Sequence, residues 1–460
     1  MVSPNLLRRA SAGTSLVFCL LAALAVVAQE DKASKGDIER ENNPQRLLMA
    51  IFEAQKAGDL PTMEQAATRL VRLRPQVGTY GYLLAKAFAL QNKKSEAYNT
   101  LLYLNNQGLS FDLTVDEDMA NVRGTEVYDF LADGLKKNAN TEGELAGTET
   151  LQQAGLLADG LAYDPKRDQL LVGSITQGAV FLLGKGGELT QLVKATPENG
   201  LLGVFDIAVD PNSRSLWVSS AAAPHYQGIR FQDAGYSGIF QFDLDSGQIR
   251  RRFDLPKRDP GNKLVNLTVA SDGKVYAANA GRPEVYQVDV EREQMSRIFT
   301  APGFTSVRGL AVSPDAKTLY FSDYELGLFG VDLKTQQAFQ VRVPAQVNMG
   351  GIDGLSWHRD GLIAIQNGNF PHRALRVALN DEGNAVSAAV PLLVNHPSFL
   401  VPSEGIVVGD SFHLIANGNA PLYDNATGKP IDADALKPQM IVTVDANVDM
   451  SVGPNTTKAL

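Results

Sequence analysis

Residues 308–323 read RGLAVSPDAKTLYFSD. The apolar run from Gly309 to Val312 leads into Ser313-Pro314-Asp315-Ala316-Lys317, and a second run ends at Asp323. Proline at the second turn position presets φ, and an Asp side chain bonds its own backbone, so the pentapeptide is a turn between two strands. The unit recurs. DGLAYDPKRDQLLVGS starts at Asp159, DIAVDPNSRSLWVSS at Asp206, NLTVASDGKVYAAN at Asn266 and DGLSWHRDGLIAIQN at Asp353, with a weaker copy, EGIVVGDSFHLIAN, at Glu404. Successive starts are 47, 60, 42, 45 and 51 residues apart. A blade of four antiparallel strands takes about 40–50 residues. Two more strand-like runs follow most copies, as AVFLLG and LTQLVKA follow the first. The expected fold is mainly β: a six-bladed β-propeller over 148–447. Its last blade is one strand short, and residues 148–152 are expected to complete it, which joins the ends of the ring in one sheet.

The residues before the propeller have a helical period instead. Residues 44–136 are read as a small all-α domain. A first helix opens at Pro44 (Leu47, Ile51 and Ala54 inward), and a second carries Ala66, Ala67, Leu70 and Leu73 on one face. A third runs from about Tyr80 to Leu90, a fourth from about Ser95 to Leu104, and one more lies around Val127 to Leu135. The first and third start about 33 residues apart, and small residues recur where helices would cross, a pattern similar to two tetratricopeptide repeats. A plain bundle of helical hairpins reads the same residues equally well. Residues 137–147 are polar and read as a linker, 29–43 as a flexible leader and 448–460 as a polar tail.

Arg8 and Arg9 precede an apolar stretch of about 13 residues, the layout of a secretory signal peptide over 1–28. The stretch is short for a bilayer span of about 20 residues. No membrane span is expected after cleavage, and the location is read as periplasmic or secreted. The only cysteine, Cys19, lies inside this segment, so the mature chain would have no disulfide and no thiolate chemistry. The formal charge of the 460 residues is −9, and losing Arg8 and Arg9 takes it to about −11. The cluster Arg250-Arg251-Arg252 suits a solvated strand, and with no basic stripe a nucleic-acid partner is not expected.

In a propeller the first strand of each blade lines the central channel. The six starting residues, Asp159, Asp206, Asn266, Arg308, Asp353 and Glu404, should therefore meet near one face. Four carboxylates there repel one another unless a cation intervenes. A metal would suit hard oxygen ligands, and Arg308 is the alternative, since a guanidinium can pair with two carboxylates. Asp323, Asn279, Asn367, Asn369, Asn417 and Asn419 fall in loops of the same face, as do His225, His372 and His396. Asp159, Asp206, Asn266, Arg308, Asp323, Asp353, Asn367, Glu404 and Asn417 form the expected ligand pocket. Asp206, Asp353 and Glu404 are the candidate catalytic groups. For any single Asp or Asn before glycine, turn capping competes with a ligand role. The loop from Ala221 to Gly238 is long enough to act as a lid. Trp217 and Trp357 are read as core. G-x-S-x-G, H-E-x-x-H and P-loop signatures are absent.

The motifs LLADGLAYDP, VRGLAVSPDAKTLYFSD and GIDGLSWHRDGLIAIQN resemble those of the senescence marker protein/gluconolactonase family of six-bladed propellers. The resemblance covers about two thirds of the chain and implies metal-assisted lactone hydrolysis. In the family a Glu of the first-blade motif, an Asn before Gly-Leu and an Asp before a later Gly hold the ion. Asp353 matches that Asp, and Asp159 stands where the Glu is expected. Asp159, Asp353 and Glu404 are the possible ligands of a divalent cation such as calcium or zinc. Arg308 stands where the Asn is expected, and a guanidinium has no lone pair to ligate a cation. Either Arg308 replaces the metal as counter-charge, or the ion shifts toward Asp206, Asn266 and Glu404. Two principal functions follow: a binding protein for a small ligand or a partner, with the helical domain as docking surface, or a divergent metal-dependent lactone or ester hydrolase. A scaffold with a salt-bridged channel is the third.

Overall fold

Alternating apolar strands can bury both faces only if sheets stack on sheets, and the chain does this in a closed circle. The computed structural model describes residues 38–256 and 259–451. The expected signal peptide, most of the leader and most of the polar tail lie outside the described residues. The chain divides into two compact units, one ending at Ala139 and the other beginning at Asn140.

The first unit is helical: α1 (Pro44–Ala57), α2 (Leu60–Leu73), α3 (Gly78–Leu90), α4 (Lys94–Asn106) and α5 (Glu126–Lys137). Asn43 caps α1 by accepting from the amides of Gln45 and Arg46, Gly58 ends it at φ 71°, and Thr125 caps α5. Successive helices pack on one another, and Ala66, Ala67, Ala85 and Ala97 are fully buried at these crossings. α3 is apolar nearly all round, and on it Ala85 is fully buried while Leu84 is only partly so. The acidic segment 116–118 opens a 3₁₀ turn whose Asp116 and Asp118 bind Lys86 of α3. Among the described residues no helix is long and apolar enough to cross a membrane.

The second unit opens with β1 (Gly147–Thr150). Blade 1 is β2 (Ala158–Asp164), β3 (Gln169–Ser174), β4 (Ala179–Leu183) and β5 (Leu189–Lys194). Blade 2 is β6 (Gly203–Asp210), β7 (Ser215–Ala221), β8 (Ser237–Asp243) and β9 (Ile249–Asp254). Blade 3 is β10 (Leu264–Val269), β11 (Val275–Asn279), β12 (Glu284–Asp289) and β13 (Gln294–Thr300). Blade 4 is β14 (Val307–Val312), β15 (Thr318–Asp323), β16 (Gly327–Asp332) and β17 (Ala338–Gln340). Blade 5 is β18 (Ile352–His358), β19 (Gly361–Gln366), β20 (Arg373–Leu379) and β21 (Val386–Val394). Blade 6 is β22 (Gly405–Val408), β23 (Ser411–Ile415) and β24 (Met440–Asp445), with β1 antiparallel to β24 as its fourth strand. The expected closure is thus the observed one.

Each neighbouring pair of blades encloses its own apolar cluster, including one between blades 6 and 1 built on Leu151, Leu156, Val172, Ile415 and Ile441. Trp217 is core between blades 2 and 3, while Trp357 is only partly buried. Arg250, Arg251 and Arg252 lie exposed on β9, paired with Asp243, Glu293 and Asp254.

The inner strands approach each other closely at their starts. A Cβ on Gly160 would lie 2.7 Å from Asp206 Cα and 2.8 Å from the Ile207 nitrogen, both backbone atoms of the next blade. Gly160→Ala should therefore destabilise the propeller by at least about 2 kcal/mol, because backbone cannot step aside as a side chain does. Urea unfolding followed by tryptophan fluorescence checks this, and an unchanged midpoint would refute the close approach.

Candidate functional site

Five of the six inner pairs lose register at the residue that begins the repeat: near Ala158, Val204, Leu264, Arg308 and Ile352. A bulge re-aims the side chain it carries. Here it turns the starting residues toward the axis, where Asp159, Arg308 and Asp353 act on one another, as do Asp206, Asn266 and Glu404.

Arg308 forms the centre of the first group. Its Nη1 donates to Asp353 Oδ1 at 2.5 Å and its Nε to Ser306 Oγ at 3.2 Å. Its guanidinium lies 4.7 Å from the ring centre of Tyr324. Asp353 Oδ2 accepts from Asn367 Nδ2 at 2.7 Å, and Asn367 Oδ1 accepts from the Tyr324 hydroxyl at 2.7 Å. Arg308, Asp353, Asn367 and Tyr324 thus close a loop of contacts. Burial works against the charge of Arg308, but Asp353, Tyr324 and Asp159 outweigh it and hold its pKa above the ordinary value. Burial and Asp353 push the Tyr324 hydroxyl up in turn.

Asp159 lies beside this loop. Burial first, then Asp353, raises its carboxyl to about 7, while Ser403, Arg308 and Lys263 pull the other way. Deeper along the axis, burial raises Asp206 and Glu404 well above the carboxylate range. Asp206 is opposed by the amides of Leu267 and Ile207, each donating at 2.8 Å. Glu404 is raised further by Asp206, Asp159 and Asp353, and accepts from Asn266 Nδ2. Asp206, Asn266 and Glu404 floor a cavity of about 270 Å³ that continues down the channel between Leu161, Val209, Leu310, Leu355 and Ile406. Another hollow, about 290 Å³, lies off the axis near Tyr226, Arg230 and Arg252 and touches none of the six.

The remaining expected pocket residues divide. Asn367 stands beside Arg308, bonded to Asp353 and Tyr324. Asp323 is instead fully buried and accepts from the amides of Thr305, Ser306, Glu325 and Leu326. Asn417 braces blade 6 by accepting from Met440 N and donating to Pro438 O. Asn279 accepts from Lys263 N, and Asn369 and Asn419 hold loop backbone. Asn279 and Asp323, which end β11 and β15, thus tie neighbouring backbone, and Asn417 does the same two residues beyond β23. His396 bonds Ser398, and His372 is only lowered by burial.

The 221–238 loop packs on blades 1 and 6: Gln227 N donates to Thr176 O at 2.9 Å, and the His225 ring meets Tyr423 edge-on at 5.7 Å. His225 Nε2 is buried without a hydrogen bond, and burial and Lys263 lower its pKa. Sequence reasoning missed Lys263, Tyr324 and Phe205. Lys263 stands three residues before Asn266 and outside the repeat; its one signal was a cation leading into an acid-rich ring.

The residues present do not fit the metal that the resemblance implies. Arg308 and Asn367 engage both oxygens of Asp353, Glu404 Oε1 accepts from Asn266, and Asp159 keeps its proton to about pH 7. Among the described residues no three His, Cys, Asp or Glu side chains come together as a metal-binding group.

No protein-family model matches the chain, and no curated protein matches it in sequence. In structure it is similar to regucalcin of Agrobacterium tumefaciens, a calcium-binding protein: 16% identity, 66% of this chain and 96% of that one, TM-score 0.45. A gluconolactonase of Xanthomonas campestris gives 15% over 66% and 95%, TM-score 0.42. The PQQ-bound aldose sugar dehydrogenase of Streptomyces coelicolor gives 14% over 67% and 98%, TM-score 0.43. Calcium, lactone and PQQ are properties of those proteins; here Arg308 and its partners hold the axis.

Two outcomes follow. The folded-state pKa of Asp159 lies above its ordinary 3.8, so folding favours its protonated form. That contribution is full below pH 3.8 and is lost as pH rises to about 7. Asp206, Glu404, Asp353, Arg308 and Lys263 face the same space and remain in an Asp159→Asn variant. The variant should match the parent near pH 4 and melt roughly 3 °C higher at pH 8, measured by differential scanning calorimetry. Arg308→Asn should free Asp353 and supply an oxygen ligand, so that calorimetric titration detects calcium in the variant and not in the parent.

Proposed function

We propose that this chain is an exported propeller that binds a small molecule at the axis, in the recess held by Asp159, Arg308 and Asp353. One observation carries the reading: a fixed cation, Arg308, occupies the ring position, braced by Asp353 and Tyr324 yet with its side chain still 34% exposed. A guanidinium used only as filler would be enclosed by its partners. One held on two sides and open on a third is preorganised to receive a polar group. The helical unit is proposed as the surface for a protein partner. Val127 and Phe130 of α5 and Tyr103 of α4 expose apolar surface there, at 51%, 64% and 40%. Export rests on the layout of residues 1–28.

A second reading has one observation in its favour. The Asp159 carboxyl at about 7 is poised to take a proton from water near neutral pH, as opening of a lactone or ester requires. Arg308 would then face the carbonyl oxygen as its charge develops.

A thermal-shift screen with polar metabolites, charged and neutral, separates the two. Binding predicts a hit that raises the melting temperature of the parent and not of Arg308→Met, with simple lactones opened no faster than in buffer. Lactone opening that Asp159→Asn abolishes would replace binding with catalysis. No hit of either charge, with no lactone opening, would refute both readings.

A further inference from the structure

A second cation, Lys263, stands beside the ring, and hydrogen bonds through Ala280 and Ser306 link its backbone to the Arg308 guanidinium. Lys263 leads into β10, and its backbone is fixed on both sides: its N–H donates to Asn279 Oδ1 at 2.9 Å and its carbonyl accepts from Ala280 N at 2.9 Å. Its Nζ lies 4.9 Å from the ring centre of Phe205. Among the described residues no carboxylate oxygen pairs with it. Arg308 Nη2 likewise donates to nothing among the described residues, since the hydrogen bonds of Arg308 use Nε and Nη1. A cation set against an aromatic ring with no ion pair is an incomplete arrangement, because burying a charge is unfavourable without a counter-charge.

We infer that the ligand held at this axis is a small organic monocarboxylate, taken by Lys263 Nζ and Arg308 Nη2. This rests on the ligand-binding reading above and adds the chemical class.

Charge balance points to one negative charge rather than two. Lys263 and Arg308 face Asp353 and Asp159. Arg308 is paired with Asp353, so of the two cations Lys263 is the one left without a salt bridge among the described residues. Asp206 and Glu404, behind them, are held toward their neutral forms by burial. Burial first, then repulsion by Arg308, depresses the Lys263 pKa, while Asp159 and Asp353 pull it the other way. A monoanion relieves this repulsion and neutralises the recess, whereas a dianion would overshoot. Only one Arg308 nitrogen is open, so the two-pronged fork that favours a phosphate is not available. Phe205 is itself buried in an apolar cluster with Leu157, Ile175, Ala223 and Tyr423, so its ring fixes the Lys263 ammonium rather than offering surface to the ligand.

The test is isothermal titration of the full chain at pH 6 with matched pairs: lactate and lactamide, benzoate and benzamide. Each acid should bind at least tenfold tighter than its amide. Lys263→Met should abolish the preference, and Lys263→Arg should restore it. Circular dichroism and melting temperature check that both variants are folded. If an amide binds as tightly as its acid and Arg308→Met removes both, the ligand-binding reading stands and the monocarboxylate inference falls. If Lys263→Met is folded and keeps the preference, or if no acid of the set binds the parent, the inference falls as well.

Discussion

The ion pair between Arg308 and Asp353 follows from geometry. Six inner strands that begin on one axis bring six side chains into a space that backbone already crowds, as Gly160 shows against Asp206. Four of the six are carboxylic acids. At a few ångströms, in surroundings of low dielectric, like charges repel by several kcal/mol per pair. The fold lowers that repulsion in three ways at different depths. A guanidinium pairs with Asp353, Asp159 retains its proton, and Glu404 accepts from the Asn266 amide while backbone amides hold Asp206. Each is local, but they are coupled: removing the guanidinium would leave Asp353 and Asp159 facing one another.

Backbone places the ring where this chemistry can happen. The register shifts at the first residue of five inner pairs turn acid and base toward the axis, and the strands then return to ordinary alternation. Glycine follows the ring residue at positions 160, 309, 354 and 405, and at Gly309 φ is +23°, where a side chain would also strike the Leu355 nitrogen at 3.0 Å. The acid-Gly dipeptide therefore satisfies two requirements at once, a side chain into the channel and a backbone thin enough to meet its neighbour. Closure through β1 keeps that spacing, because a ring that could open between blades 6 and 1 could not hold ångström-scale contacts at its centre.

The architecture was legible because it repeats. Six spaced hairpins announce six blades, and the missing strand was found by counting. The same property misled the reading of the site. Asp323, Asn279 and Asn417 recur at or just past the ends of second strands and looked like parts of a site face, but each supplies an acceptor for nearby amides. Repetition marks what the fold requires; a site is marked where repetition fails. Arg308 was visible for that reason. Lys263 was not, since its place beside Phe205 depends on a loop whose path Asn279 fixes from another strand. Tyr324 follows its strand as an ordinary loop residue, and only the folded ring shows it under the guanidinium.

Arginine at this position also changes the kind of site the fold can support. A metal ion is exchangeable, and its affinity depends on ligands that must shed protons. Arg308 is always charged, covalently placed and stacked on an aromatic ring, so the positive charge it brings to the axis does not depend on metal supply or on pH in the physiological range. It attracts anionic or hydrogen-bond-accepting groups and polarises them, yet it cannot accept the lone pair of a water molecule and so cannot lower that water's pKa as a bound cation does. The proton-accepting role, if the recess has one, then falls to Asp159, whose pKa the same guanidinium pulls down. The guanidinium that would draw an anion to the axis thereby makes Asp159 a weaker base.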